Sequence, residues 1–249
     1  MEPGEYTLLF EQEETYWWYR GLRQLALEQV RAAAGPTRPR MLDAGCGTGG
    51  MLARLAPLGL AVGLDASPLA LAHAARRGAA PLCRGTVGAL PFRSGAFDLI
   101  VSLDVLYHRD VASDLEALRE FRRCLAPAGK LLLNLPAYER LRSSHDAAVH
   151  TSRRYRRRAL RELLRQAGLD PLRLTYWNTL LFPALALLRL SRRGPGRTGG
   201  LHSDITPLPR ALGWTLEQVL SLERCWLRHR DLPFGLSLLA VAQRPPTAG

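Results

Sequence analysis

The string LDAGCGTGG at residues 42–50 constrains this chain more than any other feature, because it sets Gly45, Gly47 and Gly49 at alternate positions directly behind a short apolar run. A buried strand that ends in such a cluster has to turn sharply. Glycine permits the turn, and also the close approach of main chain to a ligand that a Cβ would block. A helix starting inside the turn aims its free N–H groups and the positive end of its dipole at whatever lies above it. Twenty residues beyond Gly45, Asp65 closes the next apolar run, where a carboxylate can accept both hydroxyls of a ribose. Together these features predict a nucleoside-binding crevice; a tight structural turn beside a solvated aspartate is the alternative.

Around this loop the hydrophobic periodicity alternates. Residues 11–34 read as one helix, with Leu22, Leu25, Ala26 and Val30 on its apolar face and Gly35-Pro36 ending it. Apolar runs at 40–44, 60–64, 81–83, 97–102, 130–135 and 171–177 read as strands. Helices are expected over 51–56, from Pro68 behind Ser67, over 113–125 and over 156–167. Strands alternating with helices predict a parallel sheet covered on both faces. A last run at 235–242 reads as a strand. The insertion before it, 178–234, holds an apolar segment at 180–190, a Gly/Arg/Pro-rich linker at 191–200 and a helix over 212–227.

With 47% hydrophobic and 22% charged residues, the composition excludes a disordered or collagen-like chain. The net charge of +12 is carried almost wholly by arginine, Lys130 being the one lysine. Such a balance marks nucleic acid, anionic lipid or phosphorylated partners, or simply the coding bias of a GC-rich genome. Cys46, Cys83, Cys124 and Cys225 form no CxxC pair, so no zinc or redox motif is expected and the thiols read as reduced, in a cytoplasmic protein. The acidic start MEPGEYTLLFEQEE is unlike a secretory signal. The longest apolar stretch, 179–188, is ten residues, against the roughly 20 that span a bilayer, so no transmembrane segment is expected.

The loop also satisfies a dinucleotide pattern through Gly45, Gly47 and Gly50. What separates the two readings is Asp43. A dinucleotide site has apolar core two positions before its first glycine, whereas a carboxylate there needs a cationic or donor-rich partner to be buried. A ligand carrying an ammonium and a sulfonium supplies one.

On these residues the chain resembles the class I S-adenosylmethionine-dependent methyltransferases. Residues 43–49 match the family's first motif, Asp65 in GLDAS its ribose acid, LPFRSGAFDLIVSLDVLYH at 90–108 its fourth-strand region and LREFRRCLAPAGKLLLNLP at 118–136 its fifth-strand region. The likeness spans about residues 40–177 and is nearest to the small-molecule type with a loose HxxRRY element, here His150 to Tyr155. It implies an α/β, Rossmann-like, doubly wound sheet of seven strands in the order 3-2-1-4-5-7-6, the last antiparallel, with helices on both faces and a helical insertion between strands six and seven. The expected divisions are an N-terminal helical cap at 1–38, a donor-binding core at 39–177, a lid at 178–234 and the final strand with its tail at 235–249.

The same resemblance implies S-adenosylmethionine as cofactor. Asp43 lies near its amino group, Gly45, Gly47 and Gly49 pack on the methionine and ribose, and Asp65 holds the ribose hydroxyls. Leu103 and Asp104 lie near the sulfonium, though Asp104 also reads as a helix cap. Where the family often has an aspartate for the adenine amine, this chain reads Gly85-Thr86-Val87, so Thr86 offers only a hydroxyl.

Methyl transfer from a sulfonium is an in-line displacement whose main demand is alignment. An acceptor hydroxyl or amine also needs a base, and histidine is poised near neutral pH. His108 and His150 are the chosen catalytic candidates, with His145, Tyr107 and Tyr138 behind them. The Asn/Asp-Pro-Pro-aromatic turn of nucleic-acid amine methyltransferases is replaced by Ser102-Leu103-Asp104-Val105, which argues against a nucleic-acid partner. The arginines between 153 and 165 read as a solvated helix face or as a phosphate track. The insertion, with Leu180, Leu181, Phe182, Leu185, Leu187 and Leu188, roofs a lipophilic pocket, touches a membrane surface beside its arginines, or packs as an ordinary helix. The cluster Tyr16-Trp17-Trp18-Tyr19 closes the other side of the crevice or acts as a hydrophobic latch. The expected function is methyl transfer to a small-molecule or lipid-linked acceptor, at oxygen. An RNA methyltransferase, a nicotinamide-dependent oxidoreductase and a noncatalytic binding protein are the alternatives; the oligomeric state is left open.

Overall fold

The computed structural model describes residues 3–33, 38–78, 80–142, 146, 150–191 and 208–246. Seven strands form one sheet: β1 (Arg40–Ala44), β2 (Leu60–Asp65), β3 (Leu82–Arg84), β4 (Phe97–Leu103), β5 (Leu125–Pro136), β6 (Asp170–Trp177) and β7 (Ser237–Gln243). The order is β3-β2-β1-β4-β5-β7-β6, as expected. β7 is antiparallel to both β5 and β6, and the neighbours from β3 to β5 are parallel.

The period of two along each strand sends alternate residues to opposite faces. Leu42, Ile100, Leu131 and Leu133 face one core with Leu118, Phe121, Leu160 and Leu164. These come from helices α5 (Asp114–Cys124) and α6 (Arg157–Gln166). Met41, Leu99, Val101 and Leu132 face the other core, packed by Leu22, Leu25, Leu52, Leu55, Leu220 and Leu227. Their helices are α2 (Trp17–Ala33), α3 (Leu52–Leu55) and α8 (Arg210–Leu227). Helix α4 (Pro68–Arg77) starts on Ser67, whose Oγ accepts the Ala70 N–H, with Pro68 at its first position. Between β6 and β7 stand α7 (Phe182–Ser191) and α8. The expected linker at 191–200 lies, apart from Ser191, outside the described residues.

Two local expectations are corrected. The single helix over 11–34 is instead α1 (Pro3–Gln12) followed, after a turn at 13–16, by α2. The turn is set by tertiary partners: Thr48, Arg77, Arg23 and Arg54 hold the Glu13 and Glu14 carboxylates, which intrinsic helix propensity does not weigh. The fifth strand begins at Leu125 rather than 130, because Phe97 already pairs with Leu125 before an irregularity shifts the register to Leu99 opposite Lys130.

Candidate active site

A cavity of about 1360 Å³ opens at the carboxyl ends of β1, β2 and β4. At one end lies the glycine loop. Gly45 and Cys46 both donate their N–H to the Leu64 carbonyl, at 2.7 and 2.9 Å, which bends the chain back against β2. Gly45 sits at φ +83°, and a Cβ there would meet Val105 Cγ2 at 2.2 Å, so only glycine fits.

The two carboxylates behind the loop are held differently. Asp65 accepts the Gly47 N–H at one oxygen and the Ser67 N–H at the other, both at 2.9 Å, leaving a further lone pair on each. Burial raises its pKa, while those backbone N–H groups pull it back. Asp43 is 2% exposed, accepts the Leu52 N–H, and is pushed up to about 8 by burial and then by the nearby Asp65 and Glu13 charges. Its Oδ2 is buried with no partner although the residue lines the cavity. A cationic or donor-rich group is what this oxygen lacks.

Helix α1 covers the loop. Tyr6 and Leu9 line the cavity, and the Tyr6 hydroxyl shares a hydrogen bond with the Ser67 side chain. The chain just beyond α1 is pinned: Glu13 accepts from Thr48 Oγ1 and from Arg77 Nη2, while Arg77 Nε donates to the Thr48 carbonyl at 2.8 Å. Phe10 lies under the Arg77 guanidinium, 4.7 Å from ring centre to Cζ. Thr86 stands exposed at the rim of this end and Val87 is buried beneath it.

On the β4 side of the glycine loop, Asp104 follows β4 with φ +59°, a conformation uncommon for a non-glycine residue. Asn134 Nδ2 donates to both its carboxylate oxygens, at 3.0 and 3.1 Å. Asn134 Oδ1 accepts from Trp177 Nε1 at 2.7 Å, and the Trp177 ring stacks on Trp18 with centres 4.6 Å apart. Burial pushes the Asp104 carboxyl up to about 7; Asn134, then Arg154, oppose it. Arg154 is itself buried in a two-bond pair with Asp146, at 3.0 and 2.9 Å.

Among the histidine candidates, His108 lines the cavity and burial takes its imidazole down to about 4. His150 stands beside it, ring centres 5.5 Å apart, but is not part of the cavity wall. His145 lies outside the described residues. Tyr107 lines the wall, whereas Tyr138 stacks on Tyr176 away from it. Leu103, Trp17, Trp18 and Tyr19 also line the cavity, as do Leu185 of α7 and Leu212 and Leu216 of α8. Among the described residues no group of three or more His, Cys, Asp or Glu is placed to hold a metal ion, and no helix is long and apolar enough to cross a membrane.

Sequence reasoning brought Asp43, Gly45, Gly47, Asp65, Thr86, Leu103, Asp104 and His108 to one cavity, with Gly49 next to it. It missed Tyr6, Glu13, Asn134, Arg154 and Trp177. Asn134 is the one with a detectable signal, a lone amide in the otherwise apolar run LLLNL.

Residues 42–133 match the family of methyltransferase domains. An uncharacterized 37.1 kDa protein of a Streptomyces fradiae transposon is 31% identical over 154 residues, 59% of this chain and 43% of that protein. A mouse protein named as a probable tRNA methyltransferase 9B is 31% identical over 130 residues, 51% of this chain and 29% of that one. The chain thus spans less than half the length of these curated relatives. Among solved structures, the [4+2]-cyclase SpnF superposes with a TM-score of 0.61 at 20% identity, covering 92% of this chain and 83% of its own. Phosphoethanolamine N-methyltransferase 2 of Haemonchus contortus, in complex with S-adenosyl-L-methionine, superposes with a TM-score of 0.60 at 17% identity, covering 89% of this chain and 52% of its own. At those identities the likeness shows the shared fold.

Proposed function

Residues 42–133 are a methyltransferase domain, carried on the Rossmann-like fold of the class I S-adenosylmethionine-dependent methyltransferases, and from that premise we propose that the protein methylates a small-molecule or lipid-linked acceptor at an oxygen atom. The observation that carries the donor side of this reading is the buried Asp43 Oδ2, without a partner beside a glycine loop and a ribose-type carboxylate. A neutral nicotinamide dinucleotide end leaves that oxygen unmatched; the amino group of a methionine moiety satisfies it.

When bound, S-adenosylmethionine supplies an electrophilic methyl carbon. Asp43 holds its ammonium, Asp65 accepts from the ribose hydroxyls with its spare lone pairs, and the main chain at Gly45, Gly47 and Gly49 packs against the methionine and ribose. Thr86 bounds the adenine side and Leu103 the sulfonium. α1 keeps water off the loop, pinned by Glu13 and Arg77.

Elsewhere the cavity walls are aromatic and aliphatic, which favours an apolar acceptor. Asp104 faces it as the proton acceptor, since a base works best with a pKa near the operating pH and its carboxyl is pushed up to about 7. His108, taken down to about 4, is neutral at pH 7 and positions the acceptor, with His150 beside it. These roles differ from those the sequence suggests, in which His108 and His150 carry the proton transfer and Asp104 lies near the sulfonium. The four cysteines, read as reduced thiols without a CxxC pair, favour the cytoplasm as the working compartment.

RNA is the second reading. The relative named for tRNA supports it, and so do Arg156, Arg158, Arg161 and Arg165, which are exposed on or beside α6. The experiment that decides is incubation with methyl-labelled donor and cell extract, followed by mass identification of the product. Label in a small or lipid-extractable molecule supports the proposal. Label in RNA, with steeply salt-dependent RNA affinity, replaces it. Thermal stabilisation by NAD in place of S-adenosylhomocysteine overturns both.

A further inference from the structure

Helix α8 has two unlike faces. Its inner face packs on α2: Leu220, Glu223 and Leu227 are buried, Glu217 pairs with Arg20 at 3.1 Å, and Arg224 pairs with Glu28 at 3.0 Å. Glu223 accepts the N–H groups of Thr179 and Leu180 at 2.7 and 2.9 Å. Every charged side chain between residues 211 and 226 is therefore engaged on that side.

The outer face is apolar and uncovered among the described residues. Trp214 is 64%, Leu222 67% and Trp226 59% exposed, with Cys225 beside them and only Thr215 and Gln218 as polar interruptions. A contiguous exposed face of this kind marks an interaction site. Its ends are basic: Arg210 precedes the face, and His229 and Arg230 follow it, all exposed, while Arg228 just before them is paired with Glu28 at 2.8 Å. The whole chain carries +12. Paired tryptophans on an uncharged face, flanked by arginine, match the chemistry of a helix lying in the headgroup layer of a membrane. Charge complementarity selects an anionic one.

The same helix turns Leu212 and Leu216 into the acceptor end of the cavity, beside Leu185 and Leu208. We propose that the outer face of α8 docks on the surface of an anionic lipid bilayer and sets the acceptor end of the cavity against it. The docking stands on α8 alone; that it delivers a lipid-linked acceptor rests on the reading given above.

The test is co-sedimentation of the full chain with vesicles of phosphatidylglycerol and phosphatidylcholine, and with phosphatidylcholine alone. The wild type should pellet with the anionic vesicles, less so as salt rises, and not with the neutral ones. A W214S/W226S variant should lose at least tenfold in vesicle affinity while keeping the thermal shift induced by S-adenosylhomocysteine, which shows it folded. Equal pelleting by that variant assigns the attraction to net charge and overturns the proposal. So does a wild type that ignores the vesicles, whether it forms a dimer that Leu222→Glu separates, or stays monomeric with Trp214 shielded from oxidative labelling by residues 192–207. Vesicle binding without any response to S-adenosylhomocysteine would remove the donor reading and leave the docking in place.

Discussion

Trp177 Nε1 lies 2.7 Å from Asn134 Oδ1, and that one bond decides what Asp104 can do. An indole N–H only donates, so the Asn134 oxygen must face it and the amide nitrogen must face Asp104. Both Asp104 oxygens then receive a donor from the same amide, which holds the carboxylate at the cavity wall in a backbone conformation uncommon for a non-glycine residue. Trp18, stacked on Trp177, ties the N-terminal aromatic cluster to the same chain of contacts.

Asp104→Asn should therefore lower turnover by roughly 10²- to 10⁴-fold, the usual contribution of a positioned base, with S-adenosylhomocysteine affinity unchanged. Trp177→Phe should keep the ring stack and lose the donor, lowering turnover by about three- to tenfold, the worth of one hydrogen bond. In the wild type, at saturating donor, kcat/KM for the acceptor should rise with pH through about 7, and this limb should vanish in Asp104→Asn. Labelled methyl transfer into extract measures all three. A pH profile unchanged by Asp104→Asn would return the role to His108.

Asp43 links donor binding to protons. Its folded pKa, about 8, lies above the unfolded value of 3.8, so the fold retains a proton there that the unfolded chain loses. That contribution to stability is complete below about 4 and is lost as pH rises through about 8. Asp43→Asn should accordingly raise the Tm of the ligand-free protein at pH 8 and flatten its fall between pH 4 and 8. An ammonium beside the carboxylate favours its ionised form, so wild-type binding of S-adenosylhomocysteine should release a proton and tighten as pH rises toward 8. The variant should bind roughly 5- to 150-fold more weakly, the cost of about 1 to 3 kcal/mol for a lost partner. Calorimetry in buffers of different ionisation enthalpy reads the proton directly.

Glu13→Gln should loosen the cover over the loop. The amide cannot replace the carboxylate between Thr48 and Arg77, so α1 should exchange its amide hydrogens faster. S-adenosylhomocysteine should leave faster while its association rate stays the same, a split that stopped-flow fluorescence resolves.

Gly45→Ala should destabilise the fold by about 1 to 3 kcal/mol from the positive φ alone. The new Cβ also pushes Val105, next to Asp104. Chemical denaturation measures the loss, and donor affinity should fall with it.

The glycine-loop end of the cavity was legible because its determinants are local. Gly45, Gly47 and Asp65 lie within one β-α-β stretch, and the cost of burying Asp43 follows from its position alone. Strand order came with the resemblance, and the alternation of apolar runs agrees with it. The acceptor end depends on pairs far apart in the chain. Trp18 and Trp177, or Trp177 and Asn134, meet only when the antiparallel β7 brings β6 to the sheet. The break between α1 and α2 was missed for the same reason, since Arg77 lies on α4 and Thr48 in the loop. Histidine is the natural base by its free-solution pKa; burial lowers that of His108 to about 4 and raises that of Asp104 to about 7, which no pattern in the sequence signals.

The most direct measurement is calorimetric titration of the purified protein with S-adenosylhomocysteine, repeated with NAD and with Asp65→Ala. The expected result is saturable one-to-one binding of S-adenosylhomocysteine, severely weakened in Asp65→Ala, and no heat with NAD. Silence toward S-adenosylhomocysteine, or NAD taking its place, would contradict the account.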